Sequence, residues 1–231
     1  SLITSSGGTS FDNRTSGTSE TLTDVTYGNS TFVTVGQSGY IYTSSDGTTW
    51  DNRTSGTSNF LYGVSYGNST FVAVGDSGNI LTSSDGTSWD NKTSGTSNLL
   101  NGVTYGNSTF VAVGDSGNIL TSSDGISWDN RTSGTSNDLN GVSYENSTFV
   151  AVGENGTIVT SSDGITWTSL FFGFTTDNIS TAKLTVSNSS YTLDNGTTPT
   201  LTSGTTYYWK VVASDPKGGS AQSETWSFIV Q

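Results

Sequence analysis

The sequence predicts an all-β chain built as a tandem array of small four-stranded sheets, and three observations carry that prediction. Aromatic residues recur at one fixed interval: Trp50, Trp89, Trp128 and Trp167 stand 39 residues apart, as do Tyr27, Tyr66, Tyr105 and Tyr144, and also Phe32, Phe71, Phe110 and Phe149. Residues 58–96 and 97–135 differ at only five positions, Phe60/Leu99, Tyr62/Asn101, Ser65/Thr104, Thr87/Ile126 and Lys92/Arg131. Self-similarity of that degree marks one supersecondary unit copied in series. Helical patterning is missing, since apolar residues alternate in short runs and never repeat at 3.6.

The third copy shows how each unit is read. A first strand, Leu100 to Tyr105, is closed by Gly106-Asn107, a dipeptide that tolerates the positive φ of a tight hairpin. In the second strand, Thr109 to Gly114, Phe110, Ala112 and Gly114 alternate with Val111 and Val113, the period of two expected when both faces are covered. The turn Asp115-Ser116-Gly117-Asn118 leads to a third strand, Ile119 to Ser122. Asp124-Gly125 then turns into a fourth, Ser127 to Thr132, which carries Trp128. A single twisted sheet of four strands leaves both faces bare, so tandem copies of about 40 residues predict β-propeller blades. A linear β-solenoid is the second architecture, although its coils are usually shorter.

The segments Ser44 to Trp50, Ser83 to Trp89, Ser122 to Trp128 and Ser161 to Trp167 resemble the Asp-box of sialidase-like and photosystem-assembly-factor-like propellers. The version here is one residue shorter than the usual Ser-x-Asp-x-Gly-x-Thr-Trp pattern. The resemblance implies a turn between the third and fourth strands of each blade. A short carboxylate beside glycine accepts hydrogen bonds from the N–H groups of its own turn, so Asp46, Asp85, Asp124 and Asp163 are read as structural, with the tryptophans packing between blades. No second carboxylate stands at calcium-loop spacing.

Composition removes several kinds of chemistry. With no Cys and no His, the chain lacks thiol nucleophiles, disulfides and the commonest general base and metal ligand. A sialidase-type enzyme needs arginines that converge on one pocket. Arg14, Arg53 and Arg131 instead fill copies of one slot, which Lys92 fills in the remaining copy. No catalytic residue, metal or cofactor is expected. A net charge of −12 repels polyphosphates and anionic lipid, so nucleic acid is not expected as a partner. No apolar run reaches the ~18 residues of a membrane helix, so membrane insertion is not expected either. A first residue other than Met, with no basic-then-apolar leader, leads us to expect a processed or trimmed form.

Both ends read as incomplete. Leu2 to Ser6 aligns with Ile80 to Ser84, and Phe11 to Thr18 with Trp50 to Thr57, so residues 1–18 are read as a half-blade hairpin and 19–168 as four blades. After Trp167 the period stops. Leu201 to Ala213 and Glu224 to Val230 resemble the last two strands of a fibronectin type III domain, with Leu201 and Tyr207 at the tyrosine-corner positions. Residues 169–231 are therefore expected to form a partial β-sandwich of that kind, its front strands missing. Unpaired strand edges must be covered. Closure within one chain is one solution, and strand addition between copies is the other. Leu2, Ile3, Tyr207, Trp209, Val211, Trp226 and Phe228 are the candidate assembly residues.

Asn-x-Ser/Thr occurs at Asn13, Asn29, Asn52, Asn68, Asn91, Asn107, Asn130, Asn146, Asn155, Asn178, Asn188 and Asn195. With 82 Ser and Thr among 231 residues and 19 Asn, composition alone gives about seven such sequons. The Asn of Tyr-Gly-Asn-Ser-Thr has a turn role, whereas Asn-Arg/Lys-Thr follows the Trp on the outermost strand, where a glycan would be solvated and would blunt an edge. The composition resembles that of prokaryotic, including archaeal, surface proteins. The expectation is a non-enzymatic extracellular or cell-surface protein, a filament or adhesin subunit whose partner is a copy of itself, head to tail. The alternative is a multivalent carbohydrate-binding propeller whose partners are surface glycans, with Phe60 or Tyr62 as stacking platforms.

Overall fold

A computed structural model describes residues 2–5, 8–10 and 12–169 in full, and beyond them the backbone of six short strands. The chain divides into two compact units, Ser1–Phe171 and Phe172–Gln231. The first opens with a two-stranded hairpin, β1 (Leu2–Thr4) and β2 (Asp12–Arg14). Four antiparallel sheets of four strands follow, each in simple sequential order. Blade 1 is β3 (Leu22–Gly28), β4 (Thr31–Gly36), β5 (Ile41–Ser44) and β6 (Asp51–Arg53). Blade 2 is β7 (Leu61–Gly67), β8 (Thr70–Gly75), β9 (Ile80–Ser83) and β10 (Asp90–Lys92). Blade 3 is β11 (Leu100–Gly106), β12 (Thr109–Gly114), β13 (Ile119–Ser122) and β14 (Asp129–Arg131). Blade 4 is β15 (Leu139–Glu145), β16 (Thr148–Gly153), β17 (Ile158–Ser161) and β18 (Thr168–Ser169).

Successive blades pack face to face, and the alternation in each second strand decides which neighbour a side chain meets. In β12, Phe110 and Ala112 join Val72, Val74 and Ile80 of blade 2 in one buried cluster. Val111 and Val113, on the opposite face, join Leu139, Phe149 and Ala151 of blade 4 in the next. Both faces of β8 and β12 are therefore dry, and these two strands carry no polar residue between Phe and Gly, whereas β4 has Thr34 there. Each cluster is closed by an aromatic series, Tyr105 against Phe110 with centroids 4.6 Å apart and Phe110 against Trp128 at 6.4 Å. Burying a phenylalanine is worth about 1.5–3 kcal/mol, and the motif recurs in every blade.

The turns correct two details of the sequence reading. The tight hairpin between the first and second strands turns on Asn107 (φ 45°) and Ser108 (φ 58°), both left-handed as a type I′ turn requires. Gly106 stays in the strand, paired with Thr109. Its lack of a side chain serves packing: a Cβ there would collide with Cγ and Cδ1 of Tyr144 from the next blade. The fourth strand is also shorter than expected, because Trp128 belongs to the preceding turn, where its indole N–H donates to the Gly125 carbonyl at 2.9 Å. Each first strand carries an irregularity of register near its start, between Leu100 and Gly102 in blade 3.

In the second unit, β19 (Thr185–Val186) pairs with β20 (Ser189–Ser190), and β22 (Val212–Ser214) with β23 (Ser220–Gln222). The segments compared with fibronectin strands contribute β21 (Thr206–Trp209) and β24 (Trp226–Ile229), which pair antiparallel. Leu201 and Val211 lie outside the described residues.

Candidate functional site

The four Ser-x-Asp-Gly turns hold the most regular polar geometry in the chain. At Ser83, Oγ accepts the N–H groups of Asp85 and Gly86 at 3.3 and 2.8 Å and donates to Asp85 Oδ1 at 3.0 Å. The same Oδ1 accepts the N–H groups of Thr87 and Ser88, and Trp89 Nε1 donates to the Gly86 carbonyl at 2.9 Å. These bonds favour the ionised carboxylate. The hydroxyl of Thr87, then the Ser88 and Thr87 N–H groups, hold Asp85 far below the usual carboxyl range, and Thr48 and Thr49 do the same for Asp46. Asp124 is lowered chiefly by the Ser127 N–H and Asp163 chiefly by the Thr166 N–H. Each carboxylate is thus spent on its own loop, and each Trp is pinned beside it. Among the described residues, no group of three His, Cys, Asp or Glu could hold a metal ion.

The basic slot is equally self-contained. Arg53 Nε donates to Thr43 Oγ1 across the sheet at 2.8 Å and its Nη2 pairs with Asp51 at 3.1 Å. Arg14 and Arg131 repeat both bonds, and Lys92 pairs with Asp90 at 3.5 Å. Each cation stays on its own outer strand, so the structure brings no two of them together in a pocket. The neighbouring sequon residues Asn13, Asn52, Asn91 and Asn130 are exposed. Asn29, Asn68, Asn107, Asn146 and Asn155 are also exposed, all at positive φ in turns. Asn68 and Asn107 each donate through Nδ2 to the carboxylate turn of the next blade, to the Ser123 and Ser162 carbonyls. Asn178, Asn188 and Asn195 lie outside the described residues.

The proposed aromatic platform occupies one blade. Phe60 and Tyr62 are half-buried and stacked on each other, with centroids 4.6 Å apart and planes 5° from parallel. In blade 3 the Tyr62 slot holds Asn101, whose Nδ2 donates to the Leu139 carbonyl at 3.0 Å, and in blade 1 it holds Thr23, which donates to the Leu61 carbonyl at 2.7 Å. That slot ties one blade to the next.

Two faces remain, and here the chain differs from its own interior. Among the described residues, β1 pairs with β2 alone. Built on Gly47, a Cβ would meet Thr4 Cγ2 at 3.6 Å, as one on Gly86 would meet Thr43 Cγ2 at 3.6 Å. The hairpin therefore sits on blade 1 as the outer half of a preceding blade. Gly86, Gly125 and Gly164 each face a valine of the preceding blade's second strand, whereas among the described residues Gly47 meets no such valine. On the uncovered strand, Val25 is 55% and Tyr27 57% exposed, whereas Val64, one repeat later, is 4% exposed. Ile3 is 59% exposed and Leu2 half-buried. At the other end of the array Val152 is 45% exposed. Of the assembly candidates in the second unit, Tyr207 stands opposite Phe228 and Trp209 opposite Trp226 in the backbone register. Sequence reading missed Val25 and Tyr27, because their exposure depends on what stands beside blade 1 and not on any local pattern.

No protein-family model matches the chain, and no curated protein does. Solved structures do. The structure titled YCF48 bound to D1 peptide is similar over 66% of this chain and 55% of its own, at TM-score 0.55 and 21% identity. YCF48 from Cyanidioschyzon merolae gives 0.52 and 21% over 67% of this chain and 57% of its own. The WD40 β-propeller domain of Doa1 gives 0.52 and 16% over 69% and 57%. The chain thus spans little more than half the length of these propellers. With the repeated four-stranded sheets, these likenesses establish an all-β, β-propeller-like array.

Proposed function

We propose that this chain is a non-enzymatic structural protein of the cell surface, a filament or adhesin subunit assembled by β-strand complementation between copies. The observation that carries the reading is the face of blade 1: among the described residues β1 pairs with β2 alone, and Val25 and Tyr27 beside it lie in water. Exposed edges of this kind recruit strands, and a head-to-tail contact that does not close grows into a fibre. In this reading the carboxylate turns are Asp-boxes with a purely structural task, and residues 169–231 are a fibronectin type III-like piece that supplies the complementary strands. The exposed Asn13, Asn52, Asn91 and Asn130 would carry glycans on the outer strands. The polar, acidic exterior would supply solubility.

Size-exclusion chromatography and negative-stain microscopy of purified protein test the reading. Regular fibres are the expected result, and monodisperse monomer at high concentration would overturn it. Intact mass before and after deglycosylation tests the sequons. The lectin alternative rests on the stacked Phe60 and Tyr62 pair. Their replacement by Leu99 and Asn101 in the next copy counts against a multivalent site, and a glycan array decides between the two.

A further inference from the structure

The seams between blades repeat one fit: a Cβ on Gly28, Gly67 or Gly106 would strike Tyr66, Tyr105 or Tyr144 in turn. One place departs from the copy. Residues 58–96 and 97–135 differ at five positions, and two of these, Phe60/Leu99 and Tyr62/Asn101, stand two apart at the start of a first strand, where alternate side chains share a face. Leu61 between them is fully buried in the core. The two rings are half-buried and lie flat on each other, with centroids 4.6 Å apart and planes 5° from parallel. Two carboxylates flank the pair. The Asp76 N–H donates to the Phe60 carbonyl at 2.9 Å, which fixes the head of the Asp76 turn beside the rings. Asp115, one repeat later, is held on the blade 3 side by Asn101 Nδ2, which donates to its Oδ1 at 3.2 Å. Burial, then the Asp76 carboxylate as charge and hydrogen-bond partner, then the Asp115 charge, push the Tyr62 phenol up, so both carboxylates act on its hydroxyl. Neither is neutralised: among the described residues the four ion pairs all lie on outer strands and involve neither Asp76 nor Asp115.

We infer that the platform of Phe60 and Tyr62, set between Asp76 and Asp115, is a binding site for an arginine side chain of a partner polypeptide. A guanidinium is planar and weakly hydrated, stacks on an aromatic face, and offers its N–H fork to carboxylates at the same time. The site asks for each of these properties: a flat pair of rings, uncompensated negative charge beside it, and a seam partly withdrawn from water, where opposite charges are screened less. A lysine ammonium matches the charge and not the plane. A sugar ring matches the plane and leaves the charge unanswered. Seam packing alone does not account for the rings. Thr23 in blade 1 and Asn101 in blade 3 tie their blades to the next through one donor to a leucine carbonyl, a task that needs no aromatic group, and the Phe60 slot holds Thr21, Leu99 and Asp138 in the other blades. The site lies within blades 2 and 3 and uses no strand edge, so the inference is independent of the assembly reading.

The test is a titration of the full chain with a capped Gly-Arg-Gly tripeptide, read by NMR on the resonances of both partners. The same tripeptide with citrulline is the uncharged isostere, one with lysine tests the plane, and methyl glycosides are the sugar probe. Saturable shifts of the Phe60 and Tyr62 rings are expected with arginine, with binding about ten-fold weaker for citrulline and several-fold weaker for lysine. The double variant Phe60→Leu, Tyr62→Asn gives blade 2 the residues that blade 3 already carries, so its melting curve should show an intact fold while its affinity falls about ten-fold. Asp76→Asn should weaken binding several-fold. In the opposite direction, Leu99→Phe with Asn101→Tyr rebuilds the pair beside Asp115, with Glu154 in the following turn, and should add a second set of shifting ring resonances. Absence of binding, equal binding of citrulline or lysine, full binding by the Phe60→Leu, Tyr62→Asn chain, or a folded graft without the second set would each overturn the inference. Shifts with a methyl glycoside and none with the tripeptide would overturn it in favour of the lectin reading. Arginine binding by a chain that forms no fibres would leave this inference standing and remove the filament.

Discussion

Val25 and Val64 occupy the same slot one repeat apart, in strands of the same register, yet one lies in water and the other in a core. Phe32 and Phe71 differ in the same way, the first half-buried and the second fully buried. Nothing intrinsic to these residues distinguishes them. The difference lies in what stands beside the sheet: a complete blade in one case, an outer hairpin in the other. Stability in such arrays is a sum of unit and junction contributions, so identical residues should differ in energetic weight according to their place in the series.

The largest contrast should come from the phenylalanines. Phe110→Ala removes a fully buried ring and should cost about 3–5 kcal/mol in urea unfolding, with Phe32→Ala costing less than half as much. Equal losses would mean that the face of blade 1 is covered in solution. Next, Gly106→Ala drives a methyl into the Tyr144 ring and should cost about 1–3 kcal/mol, whereas Glu145→Ala should stay within about 0.5 kcal/mol. Val103→Ala, in the buried blade 3 position, should cost about 2 kcal/mol, against a change within about 0.5 kcal/mol for Val25→Ala. Within a turn, Ser83→Ala leaves the Asp85 and Gly86 N–H groups without their acceptor and removes one of several donors to Asp85 Oδ1, and should cost about 1–2 kcal/mol by the same assay.

The smallest effect is a pH dependence of two signs. Asp85 is lowered in the folded state, so its contribution is complete above the unfolded carboxyl value near ~4 and is lost as the pH falls toward the folded value. Asp85→Asn should flatten that part of the acid limb. Asp24 behaves oppositely. Burial raises it, against the pull of the Val64 and Val25 N–H groups. Its ionisation therefore costs stability above ~4, and acidification relieves that cost. A melting series from pH 7 to pH 2.5 on the wild type and both Asn variants would separate the two.

Much of this was legible in the chain itself. The period of 39 located the sheets, the Phe-Val-Ala-Val alternation predicted two covered faces, and the Asp-Gly pairs located the turns. The Gly-Asn pair misled, since glycine before asparagine reads as turn chemistry. Gly106 owes its identity to a ring 38 residues later in sequence, a reason that no local pattern contains. Trp128 reads as a strand residue because nothing in the local pattern announces that its indole N–H is bonded back to its own loop. Val25 and Tyr27 escape a local reading because their burial depends on what packs beside blade 1 and not on their own repeat.

The recurring glycine and tyrosine also bear on how such a molecule evolves. Since every seam between residues 58 and 135 is the same seam, a module duplicated or deleted there by unequal recombination meets compatible neighbours on both sides. Array length can then drift by whole modules without any point substitution to repair the fit. At Glu145, where the recurring glycine gives way, an inserted tyrosine-bearing module would not meet the same seam.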